Sequence, residues 1–258
     1  MDLQLRDKNV LITGGSKGVG LACARLFMAE GARVALVSRS QLNLDRARSM
    51  LGEVHTASAD LVDAQAAASM IERVEREFGA IDVLVNSAGA ARRTAAGDLA
   101  PAHWRAAMDA KYFTYINVID PMIKRMAARG AGVIVNVIGV GGKIASPVHL
   151  AGGSANAALM LATTGLAHAY ASQGVRVVGV NPGAISTERA IEGLQVEAAR
   201  AGITEDEART RASAGLGFGR FAEADEIAAI VVFAASERGR YLSGANITTD
   251  GASSAVVV

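Results

Sequence analysis

Short, almost wholly apolar runs alternate along this chain with longer segments whose apolar residues recur at helical spacing. NVLIT (9–13), ARVALVS (32–38), IDVLVNS (81–87), GVIVNVI (132–138) and VRVVGVN (175–181) are short and β-branched, and read as strands. Their lack of polar alternation is expected when helices cover both faces of a parallel sheet. A further strand is predicted within GANITTDG near the carboxyl end, and another ends near His55, ahead of SADLVD. Helices are predicted over 18–30, about 41–50, 63–78, 102–128 and 154–172. Strands alternating with helices imply right-handed crossovers and a doubly wound α/β sheet. The segment 186–218 breaks this rhythm. It is helical and charged, and it follows a strand's carboxyl end, on the ligand side of such a sheet, so a lid is expected there. Repeats and Pro/Gly/Ser linkers are absent, so residues 1–258 are read as one domain.

The first strand runs into TGGSKGVG, and a helix comes at once after it. Gly14, Gly18 and Gly20 let the backbone turn tightly and approach a pyrophosphate, to which the helix N-terminus offers N–H groups and partial positive charge. Glycines in a strand–helix turn can serve sterics alone. The placement between a strand and a helix favours the nucleotide reading.

Bulk composition narrows the alternatives. The net charge is +1, from 26 basic and 25 acidic residues, which argues against nucleic acid as a partner. The longest apolar run, AAIVVFAA at 228–235, is too short to span a bilayer, and MDLQLRDKNV lacks the apolar core of a signal peptide. A single cysteine, Cys23, permits no intrachain disulfide and suits a reducing compartment, so a cytoplasmic protein is expected. The histidines His55, His103 and His168 have no partner at metal-ligand spacing, and no metal is expected.

The order of motifs resembles the short-chain dehydrogenase/reductase family over nearly the whole chain. The glycine loop has that family's Gly-x-x-x-Gly-x-Gly spacing. Asp60 resembles its adenine-binding acid, Asn86-Ser87-Ala88-Gly89 its Asn-Asn-Ala-Gly element, and Pro182 through Thr187 its Pro-Gly-x-x-x-Thr element. Gly219-Arg220-Phe221 and the run from Tyr241 to Gly251 resemble its C-terminal signature. The resemblance implies a single-domain Rossmann fold with a mostly parallel, seven-stranded sheet and helices on both faces. It also implies cofactor contacts from Gly14, Ser16, Lys17, Gly18, Val19, Gly20, Ser38, Arg39, Asp60, Leu61, Asn86, Ala88, Gly89, Asn156, Pro182, Gly183, Ile185 and Thr187.

Charge bears on the cofactor. An acid after the second strand would suit NAD(H), whereas a 2′-phosphate needs cations. Here Ser38-Arg39 replaces the acid and Lys17 sits in the glycine loop. Unless both cations are simply solvated, they can converge on a phosphate, and NADP(H) is favoured over NAD(H).

The resemblance further implies a catalytic tetrad of Asn, Ser, Tyr and Lys, in which the phenol protonates the substrate oxygen and the ammonium lowers the phenol's pKa. Counted through the motifs, those four places hold Lys111, Gly139, Gly152 and Asn156. No alignment is needed to see the loss. The residues four after Tyr112, Tyr115, Tyr170 and Tyr241 are Ile116, Ile119, Gly174 and Ala245, so no Tyr-x-x-x-Lys exists. A positioned general acid is worth roughly 10²–10⁴ in rate, and an oxyanion donor on the order of 10²–10³. The two glycines are expected to leave a wider pocket beside the nicotinamide. His149, in the turn entering the helix, and Lys111 are the candidate substitutes; a solvent-facing loop histidine and a structural ion pair are the plainer readings of each. Asn156 can still hydrogen-bond a ribose hydroxyl.

The expected activity is hydride transfer on a small carbonyl or alcohol substrate with a non-standard proton donor. The alternatives are a cofactor-holding scaffold or partner subunit without turnover, or a non-redox reaction in the same pocket. The Ala- and Gly-rich helix over 154–172 and the terminal AVVV suggest a homo-oligomer, dimer or tetramer.

Overall fold

The computed structural model describes residues 1–89 and 92–255. Seven strands form one sheet: β1 (Asn9–Thr13), β2 (Arg33–Ser38), β3 (His55–Ser58), β4 (Val83–Asn86), β5 (Gly132–Val137), β6 (Val175–Pro182) and, last in the chain, Asn246–Thr249. Their spatial order is β3-β2-β1-β4-β5-β6 and then the last strand, and every neighbouring pair is parallel. All carboxyl ends therefore share one rim, and the order reverses between β1 and β4, where a doubly wound sheet opens a crevice.

Apolar residues on alternate sides of the five central strands, β2, β1, β4, β5 and β6, build two cores. Val10 and Ile12 of β1 pack on one side with α1 (Gly18–Ala29) and α2 (Gln41–Leu51). Leu11 points to the other, among residues of α3 (Ala64–Phe78). Burial on both faces explains why these strands read as unbroken apolar runs. β3, with the sequence HTAS, is legible only by its position, because just Ala57 is buried.

The helix expected over 102–128 is interrupted. It comprises α4 (Pro101–Ala107), a π-helical turn over Met108–Phe113, and α5 (Thr114–Arg129). A π-turn carries an extra residue and loosens the backbone ladder. The single Thr114 hydroxyl proton is shared between the carbonyls of Lys111 (2.9 Å) and Ala110 (3.3 Å) at the end of this turn. The next helix, α6 (Leu150–Tyr170), begins earlier than expected and takes His149 as its N-cap.

The segment after β6 holds a two-residue strand β7 (Ile185–Ser186), α7 (Glu188–Ala201) and α8 (Glu205–Ser213). Strand β7 pairs in parallel with β8 (Ala222–Glu223), tying the two ends of this helical excursion together. Helix α9 (Ala224–Ala235) then packs beside α1, before the last sheet strand, β9 (Asn246–Thr249). The terminal residues 256–258 of the AVVV tail lie outside the described residues.

Candidate active site

A cleft of about 1050 Å³ opens at the carboxyl rim of the sheet, over the β1–β4 crossover point. Its floor is fixed by a buried polar chain. Thr13 Oγ1 donates to Asn86 Oδ1 (3.3 Å), Asn86 Nδ2 to Asn136 Oδ1 (3.0 Å) and Asn136 Nδ2 to Thr163 Oγ1 (3.0 Å). These side chains are at most 1% exposed, so each bond replaces one that water would otherwise make. Asn86 thus braces the strand ends beneath the cleft rather than lining it.

At one end the cleft is bounded by Gly14, Lys17, Gly18 and Val19 of the glycine loop, by Ser38 and Arg39 after β2, and by Asp60 and Leu61 after β3. Ser16 is buried within the loop. A Cβ at Gly20 would fall 2.4 Å from the Gly14 carbonyl oxygen, so glycine lets α1 start tight against the loop. Helices α2, α3, α7 and α8 have their first N–H groups capped by Ser40, Asp63, Thr187 and Thr204. Helix α1 has no side-chain cap and no acid in its first turn, so its N–H groups face the cleft with positive partial charge. This cradle fits a dinucleotide pyrophosphate. Arg39 is exposed and forms no ion pair among the described residues. Lys17 is engaged: its Nζ meets Glu188 Oε2 at 2.9 Å, joining the glycine loop to the first residue of α7.

Ala88, Gly89, Lys111, Gly139, Pro182, Gly183, Ile185 and Thr187 bound the opposite end, with Asp109, Ala110 and Thr114 beside them. Lys111 is only 7% exposed. Its Nζ donates to the Tyr115 hydroxyl (2.9 Å) and to the Val137 carbonyl (3.0 Å), two residues before Gly139. Tyr115 is fully buried and in turn donates to the Val137 carbonyl; burial pushes its phenol well above the usual range and keeps it neutral.

The remaining tetrad places diverge from a simple cavity. Gly139 adopts φ +128°, and a Cβ there would lie 3.2 Å from Asn156 Nδ2. The Asn156 carboxamide, 6% exposed, therefore fills the notch beside Gly139 and does not line the cleft. Gly152 is buried in the first turn of α6. His149 stands aside: a Cβ on Gly141 would meet its Cδ2 at 3.2 Å, and it too is absent from the cleft wall. Cys23 is fully buried, and burial pushes its thiol up to about 12, which removes it as a nucleophile. Among the described residues no group of three His, Cys, Asp or Glu side chains is placed to hold a metal ion.

Sequence reasoning overlooks Tyr115. A search for Tyr-x-x-x-Lys runs in one direction only, and the mirror spacing, Lys111-x-x-x-Tyr115, also puts phenol and ammonium on one helix face.

Strand order, rim cleft and uncapped glycine loop together define a doubly wound dinucleotide-binding protein. The chain belongs to the short chain dehydrogenase family, whose model matches residues 8–197. It is 31% identical over 257 residues to D-threitol dehydrogenase of Mycolicibacterium smegmatis, covering 97% of this chain and 94% of that one. L-sorbose reductase from Gluconobacter frateurii, solved with NADPH and L-sorbose, superposes with a TM-score of 0.94 at 27% identity, covering all of both chains. An NADPH-bound short chain oxidoreductase of Pseudomonas aeruginosa PAO1 containing an atypical catalytic center superposes with a TM-score of 0.88 at 25% identity, over 98% of this chain and 100% of that one. Among the described residues no helix is long and apolar enough to cross a membrane.

Proposed function

We propose that this protein transfers hydride between NADP(H) and a small carbonyl or alcohol substrate, with Lys111 in place of the family's phenol as the group that meets charge on the substrate oxygen. The observation that carries this reading is the Lys111 ammonium, held at the cleft wall by the Tyr115 hydroxyl and the Val137 carbonyl. Bound NADPH would supply the hydride. As a carbonyl carbon accepts it, the oxygen gains negative charge, and a nearby ammonium stabilises that charge and donates a proton. The neutral amine regains its proton from water in the cleft. Asn156 packs beside Gly139, and Asn86 holds the floor rigid through its buried bonds. His149 is set aside as donor because its ring packs at Gly141, off the cleft wall.

The uncapped α1 N-terminus and Gly18 would hold the pyrophosphate, Asp60 the adenine, and Arg39 with Ser38 a 2′-phosphate. NADPH in the sorbose reductase and Pseudomonas structures supports that preference. The helical excursion of α7 and α8 serves as the substrate lid. A cytoplasmic location and a homo-oligomeric state complete the reading, the first consistent with a free, buried Cys23.

NADPH oxidation against a panel of ketoses, cyclic ketones and β-keto thioesters, L-sorbose among them, tests the proposal. Lys111→Met is expected to lower kcat by about 10²–10³, the range for an oxyanion-stabilising group, while His149→Ala and the NADPH dissociation constant change little. Lys111→Met turning over like the wild type would overturn the assignment. NADPH binding without consumption of any carbonyl would favour a scaffold.

A further inference from the structure

We infer that Tyr115 is a positioning residue whose buried hydroxyl fixes the Lys111 ammonium at the cleft wall, forming with it an inverted phenol–ammonium pair. This rests on the proposed role of Lys111 and adds the residue that makes it effective. Three contacts converge. The Lys111 Nζ lies 2.9 Å from the Tyr115 oxygen and 3.0 Å from the Val137 oxygen, and 4.6 Å from the centre of the tyrosine ring. The Tyr115 hydroxyl donates to that same Val137 carbonyl, so its oxygen presents a lone pair to the ammonium. The three groups close a triangle, and the fully buried Tyr115 hydroxyl cannot leave it without being stranded away from water, so the acceptor facing the ammonium stays fixed.

The arrangement divides labour between helix and cleft. A lysine carries four flexible side-chain bonds, and an ammonium that wanders cannot meet a charge developing at one place. Tyr115 is fully buried, lies one helical turn beyond Lys111 and is absent from the cleft wall, so it does not touch substrate. Its role is to restrict the ammonium. The π-helical turn at Met108–Phe113 contributes by setting the direction from which Lys111 enters.

The test uses the full chain, labelled with [15N]lysine, without cofactor. Ammonium groups in exchange with water are invisible at neutral pH, whereas one held by two buried acceptors persists. The wild type is expected to show one protected ammonium resonance that Lys111→Met removes. Tyr115→Phe, which deletes only the hydroxyl and keeps the ring, is expected to broaden that resonance beyond detection or displace it. In NADPH oxidation the same variant should lose about tenfold in kcat, the effect of one hydrogen bond to a charged group, with KM for NADPH unchanged. If Tyr115→Phe does not fold, fluorotyrosine incorporated into the wild type, which weakens the phenol oxygen as an acceptor, should displace the resonance by a smaller amount. A wild-type spectrum with no protected ammonium, or one unchanged by both perturbations, overturns the inference whatever Lys111 does in turnover. A displaced resonance alongside full activity in Lys111→Met would instead leave Tyr115 as the holder of an ammonium that catalysis does not use.

Discussion

Gly139 carries more information than the hydroxyl it lacks. At φ +128° and ψ 139° its backbone occupies a region almost closed to residues with a Cβ, and the Asn156 amide stands 3.2 Å from where that Cβ would be. Restoring a serine here is therefore expected to destabilise the fold by about 1–3 kcal/mol, the usual cost of a strained backbone position, and to add no activity. Thermal unfolding of Gly139→Ser beside the wild type measures the first; a variant as stable as its parent would show that the backbone relaxes readily. Arg39 makes a second expectation. With no ion pair among the described residues and a place on the cleft, its guanidinium should supply a charge-assisted bond to a 2′-phosphate. Arg39→Leu should weaken NADPH about tenfold or more by fluorescence titration and leave NADH almost unchanged. Equal losses for both cofactors would mean that Arg39 reads no phosphate.

Between elements, the Lys17–Glu188 pair is the contact to perturb. It joins the loop before α1 to the start of α7 across the mouth of the cleft, with both side chains roughly half exposed or more. Sequence alone assigns Lys17 to a phosphate, because the acid that competes for it lies 171 residues away. An exposed pair contributes about 0.2–1 kcal/mol. Freeing Lys17 in Glu188→Gln should accordingly tighten NADPH about two- to fivefold at low salt, with the gain shrinking as salt screens the site. Weaker binding in that variant would mean that Glu188 holds the cleft in its receptive shape. The same scale shows why the helix over 102–128 reads as uninterrupted in sequence. A π-turn adds one residue at a single point, shifting the apolar register between two segments each of which still shows helical spacing. Its trace lies in the backbone ladder over Met108–Phe113, a three-dimensional fact.

For the whole molecule, legibility tracks burial. Strands covered on both faces announce themselves as apolar runs, and the glycine loop is readable because close approach admits few residue types. The two edge strands, HTAS with one buried residue and NITT with none, carry no such signature and are read from their place between neighbouring motifs, and the site divides likewise. Residues fixed by backbone approach, such as Gly20, are legible. Asn156 and His149, by contrast, are expected from sequence at a cleft they do not line, because side-chain direction depends on packing between distant segments. Assembly belongs here too. Leu161, on α6, is 77% exposed in the single chain, an apolar surface that a second copy would bury. Sedimentation velocity is expected to show a dimer or tetramer, with Leu161→Glu shifted toward smaller species; a monomeric wild type would refute the expectation.

Gly89 stands directly behind the turn that carries Lys111. A single methyl on it would press to within 2.0 Å of the Ala110 oxygen, in the turn that aims Lys111. A bulkier residue after strand four would thus press through space on the turn that carries Lys111, so Gly89→Ala should disturb the amine's position as well as the cleft that Gly89 lines.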